Sequence, residues 1–304
     1  MPNRPLRLGT RRSPLALAQA EEARDRLCAA HPGLVVELVP VTASGDKVLD
    51  RPLAEIGGKA LWTKELDAWL LAGEIDFAVH SLKDVETHRP AGITIAAILP
   101  REDVRDVLVG AASLAALPAG ARIGTSAPRR AAQALHLRPD CTVVGIRGNV
   151  QTRLAKMEAG EADVTLLALA GLNRLGMAQV GTPLDADTWL PAPGQGAIAI
   201  ECRTDDAEVI AALSAIDDRA SHDAVLAERA LLAALGGNCH SPIAVLTRAD
   251  GPDLVMQAAI FSPDGAERVE GDARFAPRDA TGPSALAADL LARAGPAVRA
   301  HFSG

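Results

Sequence analysis

Lys83 and Asp84 stand side by side near the end of FAVHSLKDVE, residues 77–86, an apolar run that reads as a buried strand entering a turn. A strand fixes the backbone and a turn presents side chains, so the pair can act on a ligand. Lys83 can serve as a Schiff-base nucleophile or an anion clamp. Asp84 can serve as a general acid or base, or as counter-charge to a cationic centre. The same residues would also suit a surface ion pair closing a strand. Cys239 lies in GGNCHSP, residues 236–242, directly after a predicted helix end. Two glycines and a proline constrain that backbone and can hold the sulfur at a surface or cleft. A helix C-terminus does not lower a thiol pKa, which argues against a protease-like thiolate. A buried structural cysteine, a metal ligand, a point of covalent attachment and a catalytic thiol stay open, with His240 as a base only if a special turn brings the neighbours together.

Arginines gather at predicted strand ends and helix starts: Arg11 and Arg12 before Ser13 and Pro14, Arg129 and Arg130 after Pro128, then Arg147, Arg153 and Arg174. Ser13 can cap a helix and Pro14 can occupy its first position, leaving free amides beside Arg11 as an anion pocket. Arg147 and Arg153 converge only if Arg147 lies in a turn and Arg153 points back towards it. Only five of the 31 basic residues are lysines, so positive charge is mostly guanidinium, suited to two-pronged binding of carboxylate or phosphate. A single acid among these arginines suits a substrate with an acidic periphery and a developing positive centre. A formal net charge of -7 argues against a general nucleic-acid or membrane binder, and the basic residues cluster at turns rather than along a groove. Cys28, Cys141, Cys202 and Cys239 show no CxxC pair, so neither a disulfide scaffold nor a zinc site is expected. The opening MPNRPLRLGT has no apolar signal core and no run of 18 apolar residues occurs, which makes the cytoplasm the expected location.

The elements that must position these residues alternate in type. Residues 6–9 and 34–41 read as strands flanking a helix from Pro14, a βαβ opening. Residues 42–59, with Gly45, Gly57 and Gly58, read as a mobile loop and candidate lid. A helix over 60–71 ends at Gly73, strands follow at 75–79 and 93–98, and residues 100–106 cross into a second domain. That domain repeats the first in outline: RIGTSAPRR from Arg122 echoes the earlier order of strand, Gly-Thr, serine, proline and arginines, and AGEADVTLLALAG from Ala159 mirrors AGEIDFAVHSLKD from Ala72. Two such lobes would set both helix starts over one cleft. LPAPGQG, residues 190–196, is a hinge-like turn, and the strand over 197–202 is expected to rejoin the first sheet. The remainder reads as helix 221–235, antiparallel strands 243–247, 254–261 and 268–275, and helix 284–294. The expected fold is α/β, with a first lobe from 1–99 and 197–217, a second from 100–196, and a smaller α+β C-terminal domain from 218–304.

The segments RLGTRRSPLALAQA, LAEIGGKALWTKEL, AVHSLKDV, IGTSAPRR, IRGNVQTRL, ALAGLNRLG, LPAPGQGAIAIECR and GGNCHSPIAV follow one another through nearly the whole chain. Together they resemble the porphobilinogen deaminase, or hydroxymethylbilane synthase, family of tetrapyrrole biosynthesis. The resemblance implies two periplasmic-binding-protein-like lobes with mixed sheets and a third domain holding a dipyrromethane cofactor, one per chain, thioether-linked to Cys239 and built from the enzyme's own substrate. It implies that Asp84 is the principal catalytic residue, assisting loss of ammonia from porphobilinogen so that four units join head to tail before hydrolysis releases hydroxymethylbilane. Arg11, Ser13, Lys83, Arg129, Arg130, Arg147, Arg153 and Arg174 are the implied clamps for the acetates and propionates of cofactor and substrate. A monomer, with product passing to uroporphyrinogen-III synthase, is implied as well. The chain departs from the family pattern at Glu86, usually proline, at Trp62, commonly phenylalanine, and at Ala127 and Pro128, where serine and leucine are frequent. Two rivals are a non-catalytic intracellular binder of small carboxylate or phosphate ligands, which needs neither Asp84 nor Cys239, and a pyridoxal-phosphate enzyme using Lys83.

Overall fold

The computed structural model describes residues 4–41 and 63–302. In chain order the first strands are β1 (Leu6–Arg11), β2 (Val36–Val41), β3 (Phe77–Ser81), β4 (Ile93–Ile98), β5 (Asp106–Val109), β6 (Arg122–Gly124) and β7 (Thr142–Val144). They are followed by β8 (Val164–Ala168), β9 (Thr182–Pro183), β10 (Ile198–Arg203), β11 (Ile243–Asp250), β12 (Asp253–Phe261) and β13 (Arg268–Phe275). The chain divides into two compact units, one of Met1–Glu102 with Ala197–His222, the other of Asp103–Gly196 with Asp223–Gly304.

The first unit holds a five-stranded sheet in the order β2-β1-β3-β10-β4, and the second a five-stranded sheet in the order β7-β6-β8-β5-β9. The two orders are the same pattern. In each, a parallel pair is joined through a helix, a third strand adds in parallel, and a strand from a different stretch of chain inserts antiparallel beside it. The inserted strands are β5, just after the chain enters the second unit, and β10, just after it returns to the first. The return of the segment near 197–202 to the first sheet is therefore met, whereas β5 lies at the end of a stretch expected to be a plain crossing.

The repeat extends to single bonds. The Arg7 amide donates to Asp76 Oδ2 at 2.7 Å, and the Arg122 amide donates to Asp163 Oδ2 at 2.7 Å. Gly73 and Gly160 end the preceding helices Lys64–Leu71 and Val150–Glu158 with φ of 70° and 74°, a left-handed turn that glycine adopts without steric cost. Gly9 and Gly124 each sit where a Cβ would lie within 2.5 Å of an isoleucine side chain, Ile75 and Ile146 respectively. The sequence echo thus marks the positions where both lobes need the same backbone.

Helices cover both faces of the first sheet. Leu6, Leu8, Phe77, Val79, Ile198 and Ile200 pack on Ala20, Ala23 and Leu27 of the helix Pro14–Ala30, while Val41, Ala78 and Ile93 pack on Leu66 and Leu70. A strand covered on both sides is apolar along its length, which is why FAV in β3 shows no alternation. In the second unit β11, β12 and β13 form an antiparallel meander against Leu231 and Leu232 of the helix Arg219–Ala234 and against Leu286 and Leu290 of the helix Thr281–Arg293. Its other face, through Ala244, Leu246 and Phe261, meets Ala132 and Leu190. The expected lid at 42–59, the start of the helix over 60–71 and Trp62 lie outside the described residues.

Candidate functional site

Asp84 closes the single 3-10 turn Leu82–Asp84 that follows β3. The Leu82 amide donates to the Ala197 carbonyl at 3.0 Å and the Val85 amide to the Leu82 carbonyl at 3.0 Å, so the turn is fixed to the chain entering β10. Asp84 lines a pocket with Arg11, Ser13, Gln19, His80 and Ser81. Arg11 ends β1, and Ser13 caps the following helix by accepting from the Ala16 amide at 3.4 Å, with Pro14 in the first turn. A capped helix start and a guanidinium give this pocket positive potential beside one carboxylate. Gln19 Nε2 donates to Ser81 Oγ at 2.8 Å, binding that helix to β3. The structure therefore brings Arg11, Ser13 and Asp84 together. Lys83 shares the turn, half-buried, but does not line the pocket.

Behind the pocket is a buried polar cluster that sequence reasoning missed. The His80 side chain is 4% exposed, and its Nε2 lies 3.3 Å from Oε2 of the fully buried Glu201 on β10. Burial, aided by the positive charge of Arg89, pushes the imidazole pKa down to about 4. The folded chain thus keeps His80 neutral where the unfolded chain takes up a proton, so stability present above pH 6.5 is lost progressively as pH falls towards about 4. The expected slope is at most about 1.4 kcal/mol per pH unit. Urea unfolding midpoints across this window should show it, and His80→Gln should flatten it; an equal slope in that variant would assign the pH dependence to other groups.

In the second unit Arg129 and Arg130 open the helix Pro128–Leu137 and were expected at a ligand surface. Both guanidinium groups are instead buried. Arg129 Nη2 and Arg130 Nη2 lie 2.8 and 2.7 Å from the two oxygens of Asp106, and their Nη1 atoms donate to the carbonyls of Leu190 and Leu166. Trp189 Nε1 and Gln195 Nε2 complete the shell of Asp106 at 2.8 and 2.9 Å. Burial alone would raise the Asp106 pKa, but Arg129 and Arg130 outweigh it and hold the carboxyl far below the usual range. Arg129 Nε, buried as well, has no hydrogen-bond partner among the described residues.

Arg147 lies in the turn after β7, and Arg153 on the helix Val150–Glu158 turns back to it, donating from Nε to the Gly148 carbonyl at 3.0 Å. Asn149 caps that helix by accepting from the Thr152 amide at 2.9 Å. The geometry required for Arg147 and Arg153 to converge is the one observed. Arg174 ends the helix Leu169–Arg174 and donates from Nη2 to the Gly196 carbonyl at 3.2 Å. All three residues are half-buried.

Cys239 is exposed, and no disulfide links the described cysteines. The helix before it ends as the paired glycines require: the Gly236 amide donates to the Ala233 carbonyl at 2.9 Å, the Gly237 amide to the Leu232 carbonyl at 2.9 Å, and Gly236 has φ of 65°. Asn238 and the buried Ser241 then tie the turn, with the Asn238 amide donating to Ser241 Oγ at 3.0 Å and the His240 amide to Asn238 Oδ1 at 2.9 Å. The turn presents residue 239 outward on a fixed backbone. A buried structural role is excluded for this thiol. Cys141 and Cys202 are buried, and burial raises the Cys202 thiol to about 12.

Among the described residues no helix is long and apolar enough to cross a membrane. The model described as porphobilinogen deaminase, dipyromethane cofactor binding domain, matches residues 6–211, and that described as porphobilinogen deaminase, C-terminal domain, matches residues 223–292. A porphobilinogen deaminase from Sphingopyxis alaskensis is 57% identical, covering 99% of this chain and 98% of the relative. One from Nitrobacter winogradskyi is 51% identical over 98% of this chain and 96% of the relative. Among solved structures, a periplasmic substrate-binding protein of an ABC transporter from Coxiella burnetii aligns at 16% identity with a TM-score of 0.43, covering 73% of this chain and 94% of that one, a likeness that carries no functional weight. Matched by both family models and by near full-length relatives, the chain belongs to the porphobilinogen deaminase family.

Proposed function

We propose that this chain catalyses the stepwise condensation of four porphobilinogen molecules, with loss of ammonia, and releases hydroxymethylbilane by hydrolysis. The observation that carries the reading is the pocket lined by Asp84, Arg11 and the helix start capped by Ser13. Porphobilinogen bears an acetate and a propionate, which suit the cationic wall. As the bond from the aminomethyl carbon to nitrogen breaks, its electron pair leaves with the ammonia and positive charge spreads into the pyrrole. The Asp84 carboxylate accepts the pyrrole N–H and offsets that charge where it develops.

Dipyrromethane fits the residues of the second unit. Its four carboxylates need cationic donors and its thioether needs an accessible thiol. Arg147, Arg153 and Arg174 are half-buried in the same unit that exposes Cys239. When bound, the group supplies an unsubstituted pyrrole α-carbon as nucleophile. Arg147, Arg153 and Arg174 hold its carboxylates and those of the growing chain, and Lys83 adds a cation next to Asp84. We assign attachment to Cys239, because the Asn238–Ser241 turn holds that thiol outward. The chain acts as a monomer in the cytoplasm and passes its product to uroporphyrinogen-III synthase.

Incubation of the purified protein with porphobilinogen should release one ammonia per porphobilinogen consumed and yield hydroxymethylbilane without added pyridoxal phosphate. Binding of porphobilinogen with no ammonia release would favour the anion-binding alternative.

A further inference from the structure

Arg89 lies in the loop between β3 and β4, five positions beyond Asp84, and its side chain runs back into the protein, where it is only 8% exposed. Its Nε and Nη2 meet the two oxygens of Glu201 at 2.7 and 2.9 Å, a two-pronged pair, and Nη2 also reaches Asp67 on the helix Lys64–Leu71. Nη1 lies 3.6 Å from Glu86, the residue at the position where the sequence departs from the family pattern. Glu201 is fully buried on β10, paired in register with Ala78 of β3, and its Oε2 faces His80 of the pocket wall. One guanidinium therefore fastens the loop that leaves Asp84 to β10, the strand beside β3, and to the helix on the sheet's face.

Desolvation opposes a charge at Arg89, yet Glu201 and Asp67 together keep its pKa above the ordinary arginine value, so it stays a cation. A buried cation with a planar two-pronged partner fixes both distance and direction, which a flexible loop of polar residues does not do by itself.

We propose that Arg89 is a positioning residue for Asp84, holding the segment Asp84–Arg89 against Glu201 so that the carboxylate keeps its place in the pocket. The inference rests on the reading of Asp84 as the group that meets the substrate. It differs from a purely stabilising ion pair in what it predicts for turnover by folded protein. Misplacing a reacting group by about 1 Å costs up to about 100-fold in rate.

The test compares kcat and KM for porphobilinogen in Arg89→Lys, Arg89→Leu and the double variant Arg89→Leu/Glu201→Gln, with folding followed by thermal unfolding and cofactor loading by intact mass. The double variant removes the cation together with its fully buried partner Glu201 and leaves only Asp67, whose pKa burial already raises and which can take up a proton, so it is expected to fold where the single variant does not. Arg89→Leu and the double variant should lose about 10- to 100-fold in kcat with KM within about twofold. Arg89→Lys, which keeps the charge but not the two-pronged geometry, should recover part of the loss. Turnover within about twofold of the natural chain in folded, loaded double variant would overturn the proposal. Asp84→Ala is assayed in parallel: natural turnover there would instead remove the reading of Asp84 on which the tether depends.

Discussion

Asp84→Ala is expected to fold, to keep binding porphobilinogen, and to turn it over about 100- to 10,000-fold more slowly, the range spanned by loss of one positioned acid-base group. The fold should survive because Asp84 is half-buried at the end of a single turn whose backbone bonds, Leu82 to Ala197 and Val85 to Leu82, do not involve its side chain. Binding should survive because the carboxylate-binding wall, Arg11 and the helix start capped by Ser13, is supplied by other elements. What is lost is negative charge at the place where positive charge develops, an interaction made chiefly in the transition state, so kcat falls with KM little changed. Asp84→Asn keeps the shape without the charge and should be nearly as slow. Single-turnover release of ammonia separates this step from product release; an unchanged rate in either variant would reject the role.

Asp106→Ala is expected to destabilise the second unit by about 3–5 kcal/mol, the cost of leaving a buried opposite charge without its partner. Two guanidinium groups, an indole N–H and an amide converge on this one carboxylate. Asp106→Asn retains the volume but not the charge that offsets Arg129 and Arg130, so it should recover little. Because Asp106 has a folded pKa far below its ordinary value, its contribution is fully present above about pH 4 and is lost as pH falls below that. Chemical unfolding of the natural and variant chains near neutral pH measures the difference. A change under about 1 kcal/mol would mean that the buried cluster reorganises without cost. The same geometry predicts that Arg130→Leu lowers stability, since Asp106 then keeps Arg129 as its one charged partner.

Much of this architecture was legible in the chain because its signals are local. Ser13-Pro14 and Asn149 mark helix starts through the amides they cap or spare, and Gly73, Gly160 and Gly236 mark helix ends through a backbone that glycine adopts freely. The echo between Gly9-Thr10 and Gly124-Thr125 pointed to two like lobes, and the matching strand orders bear it out. Asp84, Arg147 and Arg153 fall where the turn signals put them.

Partnerships between distant segments were not legible. Arg129 and Arg130 read as ligand clamps from their place at a predicted helix start and from the family resemblance; their partner Asp106 is brought in by β5, a four-residue strand at the end of an apparent crossing. A signal existed in that an acid opens the apolar run DVLV, and a charge leading a buried strand calls for a partner. Glu201 carried the same signal inside IAIEC, and its connection to His80 and Arg89 depends on the pairing of β10 with β3. Nothing local in the sequence ties His80 to its acid, which comes from a strand more than a hundred positions away in the chain. Exposure of Cys239 also depends on structure, since a glycine turn can face either way until Asn238 and Ser241 close it.

The proposed chemistry depends on a covalent dipyrromethane on Cys239 that the chain itself assembles. Intact mass of the denatured natural protein and of Cys239→Ala, each after incubation with porphobilinogen, tests it most directly. An excess equal to one dipyrromethane unit is expected on the natural chain, and the bare polypeptide mass on the variant. A natural chain of bare polypeptide mass, or the same excess on Cys239→Ala, would contradict it.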